Sequence, residues 1–236
     1  MSMKKIFVAL DQMSLEEIHH LLKISHGEIK CIKIGLELFL KYGPTIIDEL
    51  AQKFHVQIFL DLKLHDIPVT VEKSIKSLRN LPIDFLTLHL SGGRQMLEYA
   101  VSSTIEYLPK TKLLGVSFLT SLDDTNAQEI FGINLDDQAF KRLFNLAFES
   151  KVPGVVCSPH EIKLLKKNYP NLLAITPGVR FDFEINSAST GDQKRVMTPK
   201  EAFDAGADFL VMGRSLTKTN DDKHLIERIH LLNSLS

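Results

Sequence analysis

What most constrains this chain is a rhythm. Short apolar runs return about every 25–30 residues, at 6–11, 31–35, 57–63, 85–91, 113–120, 154–158, 172–178 and 209–214, with helix-like patterns between them. Most are apolar at nearly every position rather than alternating, which is the mark of parallel strands covered on both faces. Helix starts stand between the runs. Ser14 with Glu17 reads as a capping box; Ser158-Pro159-His160-Glu161 and Thr198-Pro199-Lys200-Glu201 repeat it with proline at the first helical position. Gly206 reads as a helix C-cap feeding the eighth run. Eight strands alternating with helices predict a (β/α)8 TIM barrel, and no linker, low-complexity tract or charge block divides residues 1–236, so one barrel domain is expected. An open doubly wound sheet is the runner-up, but no GxGxxG follows the first run.

The formal net charge of −1 offers no attraction to a nucleic-acid backbone or an anionic membrane, so any phosphate must be caught locally by a few placed donors. The two cysteines, Cys31 and Cys157, lie in apolar runs without a CxxC partner, as buried reduced thiols do, which fits the cytoplasm. The first apolar run is too short for a secretory signal, and no stretch of about 18 apolar residues is present to span a membrane. The least regular segment, 179–197, is polar and long for a loop, and in a barrel it would follow the seventh strand on the catalytic face.

Charge inside the apolar runs is the next signal. In Phe59-Leu60-Asp61-Leu62-Lys63-Leu64-His65-Asp66-Ile67-Pro68 the leucines alternate with Asp61 and Lys63. If the leucines face the helices, Asp61 and Lys63 face the barrel axis near its C-terminal mouth. Lys33 sits likewise between Ile32 and Ile34, and Asp11 ends the first run. Buried charges are tolerated when paired, and Lys33, Asp61, Lys63 and Asp66 balance as an alternating network. A purely structural ion-pair network is the bland alternative. Four such residues at the C-terminal ends of adjacent strands favour chemistry, because that end of a barrel carries the active site.

The segment from Asp61 to Pro68 matches the DxKxxDIP signature of the orotidine 5′-phosphate decarboxylase family. Seven further blocks follow in that family's order: Ala9-Leu10-Asp11, Lys33-Ile34-Gly35, His89-Leu90-Ser91-Gly92-Gly93, Leu119-Thr120-Ser121, Thr176-Pro177-Gly178-Val179-Arg180, Gly191-Asp192-Gln193 and Val211-Met212-Gly213-Arg214-Ser215. The chain thus resembles that family over nearly its whole length, in the form that stands alone without a fused phosphoribosyltransferase domain. The resemblance implies conversion of orotidine 5′-phosphate to uridine 5′-phosphate and carbon dioxide in de novo pyrimidine biosynthesis, without metal or organic cofactor.

It also implies roles. Lys63 would stabilise the ring carbanion and protonate it, with Asp61 beside the departing carboxylate. Lys33 and Asp66 would hold the array and contact the ribose, which Asp11 also faces. Thr120, at the end of the fifth strand, would contact the base. Arg214, opening the loop after the eighth strand beside Gly213, would grip the phosphate with Gln193 from the long loop; Arg180 would lie at the same end. A homodimer is implied, in which Asp66, Ile67 and Thr70 complete the partner's site. His89 reads as a supporting histidine, and His19-His20 as no metal site. Two rivals remain: a magnesium-dependent sugar-phosphate decarboxylase of the same suprafamily and a catalytically silent nucleotide-binding barrel. The Leu119-Thr120-Ser121 and Gly191-Asp192-Gln193 blocks speak against the first, and Lys63 against the second.

Overall fold

In a computed structural model, which describes residues 3–185, 196–219 and 221–234, all eight apolar runs are strands. They are β1 (Ile6–Ala9), β2 (Cys31–Gly35), β3 (Gln57–Leu64), β4 (Phe85–His89), β5 (Lys112–Val116), β6 (Gly154–Val156), β7 (Leu173–Thr176) and β8 (Phe209–Met212). Each pairs in parallel with the next, and β8 closes on β1 through Val8 opposite Met212, giving a closed barrel. This is the expected (β/α)8 architecture. Several strands stop short of the expected ends: β1 at Ala9 rather than Asp11, β5 at Val116 rather than Thr120, β8 at Met212 rather than Arg214. Apolar patterning runs on past the ladder because Leu10 and Leu90 still pack into the layer beneath the helices. β3 exceeds its expected end by one residue.

The expected caps are mostly present. Ser14 with Glu17 and Thr198 with Glu201 both close capping boxes, and Gly206, at φ +109°, follows the helix Pro199–Asp204. At Ser158 the pattern differs: its hydroxyl accepts from the His160 N–H within a three-residue 3-10 turn, Pro159–Glu161. Pro68 starts the helix Pro68–Ser77, with Thr70 in its first turn. The β5–β6 crossover carries two helices, Asp124–Phe131 and Asp137–Glu149. Among the described residues no helix is long and apolar enough to cross a membrane.

Two apolar layers result. The outer one lies between strands and helices, built from outward residues such as Ile32, Ile34, Leu60 and Leu88. The inner one fills the barrel with Phe7, Cys31, Phe59, Phe85, Leu114, Ile175 and Val211. Phe7 is its hub, with ring centroids 5.0 Å from Phe59, 5.0 Å from Phe85 and 5.3 Å from Phe209. Side chains of a strand share a face at every second position. One step above this plug, toward the C-terminal mouth, therefore come Ala9, Lys33, Asp61 and Thr87. The aromatic plug closes the barrel below and leaves a floor on which polar groups stand. Cys31 and Cys157 are buried and not in disulfides; burial pushes the Cys31 thiol up to about 12 and raises Cys157 as well.

Removing the hub should open a cavity bounded by three rings. Phe7→Ala is expected to destabilise the fold by roughly 3–5 kcal/mol, read as a lowered midpoint in urea titration; a loss below about 1 kcal/mol would mean that the neighbouring rings collapse into the space.

Candidate active site

Lys33 comes from β2, one step above Cys31, with its Cα opposite Ala9 on one side and Phe59 on the other. Its ammonium lies 2.7 Å from Asp11 Oδ2 and 3.4 Å from Asp61 Oδ2. The same Asp61 oxygen receives the Lys63 ammonium at 2.7 Å. The array therefore reads Asp11–Lys33–Asp61–Lys63, two charges of each sign. Its other Asp61 oxygen accepts the Thr87 hydroxyl at 2.8 Å. Burial by itself would raise the Asp61 pKa, but Lys33 and Lys63, with hydrogen bonds from Lys63 and Thr87, hold its carboxyl below the ordinary carboxylate range. Exposure is least in the middle of the array: the Lys33 and Asp61 side chains are 10% and 11% exposed, whereas Asp11 is 40% and Lys63 34% exposed, so both ends can meet a ligand.

Gly35 makes room for this arrangement. A Cβ there would overlap the Asp11 carboxylate and come within 3.1 Å of the Lys33 ammonium. A side chain at 35 would thus separate the first pair.

Above the array lies a cavity of about 330 Å³. It is lined by the charged Asp11, Lys33, Asp61 and Lys63, by the apolar Phe59, Val156 and Val211, and by Thr120, Arg180, Gly213 and Arg214. This cavity thus collects most of the residues singled out from sequence. Thr120 reaches it from the turn beyond β5 rather than from the strand end, and Arg214 from the first position of a short helix, Arg214–Thr217, rather than from an open loop. Gln193 lies outside the described residues.

Asp66 departs from expectation. It does not join the array of its own chain, and Asp11 takes the place expected for it. β3 ends at Leu64 and the chain then turns outward, so Asp66 is exposed and its Oδ1 accepts the Ile67 N–H at 2.7 Å. Ile67, at 67% exposure, and Thr70 are likewise on the surface, away from the cavity of the same chain. His89 is half-buried with its ring 5.2 Å from that of His65. Burial lowers its pKa, as do His65 and Lys63, against an opposing pull from Asp61. Among the described residues no group of three or more His, Cys, Asp or Glu side chains could hold a metal ion.

Sequence reasoning missed Thr87, Gln12 and Ser215. Thr87 lies two positions before His89 on the inward face of β4, so alternation alone could have marked it. Ser215 lines the cavity and links the segments around Arg214: its hydroxyl donates to Glu184 and its carbonyl accepts from the Arg228 guanidinium. Arg228 in turn lies 5.3 Å over the Phe183 ring and 5.8 Å from Phe181. The segment 179–197 is pinched at its base by a parallel bridge between Val179 and Met197.

Known proteins share this architecture and sequence. The family model described as orotidine 5′-phosphate decarboxylase / HUMPS family matches residues 4–229. A protein of Ehrlichia chaffeensis named orotidine 5′-phosphate decarboxylase is 42% identical over 229 residues, covering 96% of this chain and 95% of its own length. One of the same name from Wolbachia sp. subsp. Brugia malayi is 41% identical, covering 99% of this chain and all of its own. The crystal structure of orotidine 5′-phosphate decarboxylase from Lactobacillus acidophilus superposes with a TM-score of 0.79 at 33% identity, over 97% of this chain and 98% of that one. With a match spanning nearly every residue from the first strand to the last helix, the chain belongs to the orotidine 5′-phosphate decarboxylase / HUMPS family.

Proposed function

We propose that this chain decarboxylates orotidine 5′-phosphate to uridine 5′-phosphate, the step that makes UMP in de novo pyrimidine biosynthesis, as a cytoplasmic enzyme. The observation that carries the reading is the Asp11–Lys33–Asp61–Lys63 array, which ends on a partly exposed ammonium at a cavity that Arg180 and Arg214 also line. The relatives' names support this substrate over a sugar phosphate.

Loss of carbon dioxide breaks a carbon–carbon bond and leaves its electron pair on the ring carbon. That carbon needs a positive charge at the moment the pair develops and a proton directly after. The Lys63 ammonium supplies both: it stabilises the carbanion, then gives up one N–H proton to the ring carbon and regains it from solvent. No electron-sink cofactor is called for. Asp61 holds Lys63 and would lie near the substrate carboxylate, so it opposes the charged ground state more than the departing neutral gas. Lys33, with Lys63, keeps Asp61 ionised; Lys33 and Asp11 offer hydrogen bonds to the ribose, and Thr120 reaches the base. The phosphate goes to Arg214, whose forked donors suit it, with Gly213 allowing close approach and Arg180 nearby; Gln193 would add a contact from the long loop.

Asp66, Ile67 and Thr70 are exposed and stand beside the array in sequence but not in space, which suits a role in the neighbouring site of a homodimer. Ile67 and Val69 present 67% and 44% exposed apolar side chains on this segment, a surface that a second copy would cover.

Purified protein with orotidine 5′-phosphate in chelator should lose the orotate absorbance, and Lys63→Ala should lower the rate at least about 1,000-fold. A parent that is inactive until magnesium is added would point to the sugar-phosphate reading instead. For the shared site, mixing Lys63→Ala with Asp66→Asn subunits places both lesions in one site of the mixed dimer and leaves the other intact, so activity should climb toward about one quarter of the parent. No recovery despite demonstrated subunit exchange would mean that each site is built within one chain. Arg214→Ala should weaken binding of UMP strongly and leave turnover of a substrate lacking the phosphate near the parent's. A large loss on that truncated substrate would make Arg214 structural.

A further inference from the structure

Thr87 carries no charge, yet the array is tied together through it. The β3–β4 ladder pairs Phe59 with Phe85 and Leu60 with Leu86, then resumes at Leu64 opposite Leu88. Four steps on β3 thus face two on β4, and the excess falls on Asp61, Leu62 and Lys63. Lys63 absorbs it by taking φ +50°, the left-handed region that L side chains rarely adopt. With the ladder broken there, the Lys63 N–H donates to Thr87 Oγ1 at 2.9 Å, and the Thr87 hydroxyl donates onward to Asp61 Oδ1 at 2.8 Å. An amide can only donate, so the one hydroxyl proton is committed to the carboxylate.

The result is a closed loop of bonds. Lys63 reaches Asp61 twice, through its ammonium to Oδ2 and through its own backbone and Thr87 to Oδ1. The carboxylate cannot turn about its own axis without breaking one of the two. Thr87 is fully buried, at 0% exposure, so no water stands ready to replace its hydroxyl. We infer that Thr87 is a positioning residue for the decarboxylation, its hydroxyl fixing both the backbone turn at Lys63 and the plane of the Asp61 carboxylate. The inference rests on the decarboxylase reading above. It acts on the reacting geometry rather than on affinity, because Thr87 lies beneath the array and not among the groups that line the cavity.

The test compares Thr87→Val, which keeps the shape and removes the hydroxyl, with Thr87→Ser, which keeps the hydroxyl and removes a methyl. A displacement of about 1 Å at a reacting group can reduce turnover about 100-fold. Thr87→Val should therefore lower kcat roughly 10- to 100-fold while KM moves less than about threefold. Thr87→Ser should recover kcat to within about threefold of the parent. Thermal unfolding of each variant runs alongside. If valine prevents folding, Thr87→Ser against Thr87→Ala, which again differ by the hydroxyl, is read in the same terms. Valine with an unchanged kcat, serine as impaired as valine, or a loss confined to KM would each overturn the positioning role while leaving the decarboxylase reading intact. A parent without activity on orotidine 5′-phosphate would overturn both.

Discussion

The Asp61 carboxylate is the point on which the site balances. It is nearly buried at the mouth of a barrel whose floor is aromatic, and taking such an ion out of water costs several kcal/mol. Two ammonium groups share one of its oxygens and a hydroxyl satisfies the other, so the ion stays charged where an unpaired carboxylate would take up a proton. Lys33, more deeply buried than Lys63, depends on it in return, and Asp11 stabilises Lys33 from the outer side. Each charge is tolerable only because of the next. That mutual dependence sets where the array can act: its buried middle, Lys33 and Asp61, is committed, and its exposed ends, Asp11 and Lys63, have freedom to engage something new.

The phenylalanine plug gives this arrangement its foundation. Phe7, Phe59, Phe85 and Phe209 fill the lower barrel with close ring contacts, which excludes water from beneath the polar tier and holds the strands that carry it at fixed spacing. The small residues above, Ala9 and Gly35, then leave space for the Asp11 carboxylate and for a ligand. On the far side the support comes from further along the chain. Arg228, in the helix Asp222–Ser234, lies over two phenylalanine rings and bonds to the Ser215 carbonyl beside Arg214. The two sides of the cavity are thus braced by different means, one by the barrel interior and the other by a surface helix.

Much of this was legible in the sequence because the barrel repeats a simple rule eight times. Uninterrupted apolar runs at regular spacing identify parallel strands, and alternation through Leu60, Asp61, Leu62 and Lys63 puts the charges on the inner face. What alternation could not show is where a strand stops obeying it. The ladder slips between Leu60 and Leu64, and that slip gives Lys63 its turn and Thr87 its bonds; neither leaves a mark in residue type. Asp66 is close to the array in sequence, but the chain departs from the sheet at Leu64. Thr120 follows an apolar pattern that outlasts the hydrogen bonds of β5, so its sequence resembles a strand where the structure has a turn. Ends of elements depend on contacts with other elements, and a one-dimensional pattern does not contain those.

The turn at Lys63 has an evolutionary consequence. A left-handed conformation disfavours any L side chain by about 1–2 kcal/mol relative to glycine, so at this position the backbone asks for glycine while the chemistry asks for an ammonium. The strain alone would push this codon away from lysine, but the same lysine offsets the buried Asp61 charge, so losing it singly would leave that carboxylate short of a partner. A descendant freed from the activity should therefore lose Lys63 and Asp61 together, and only then gain stability at this turn.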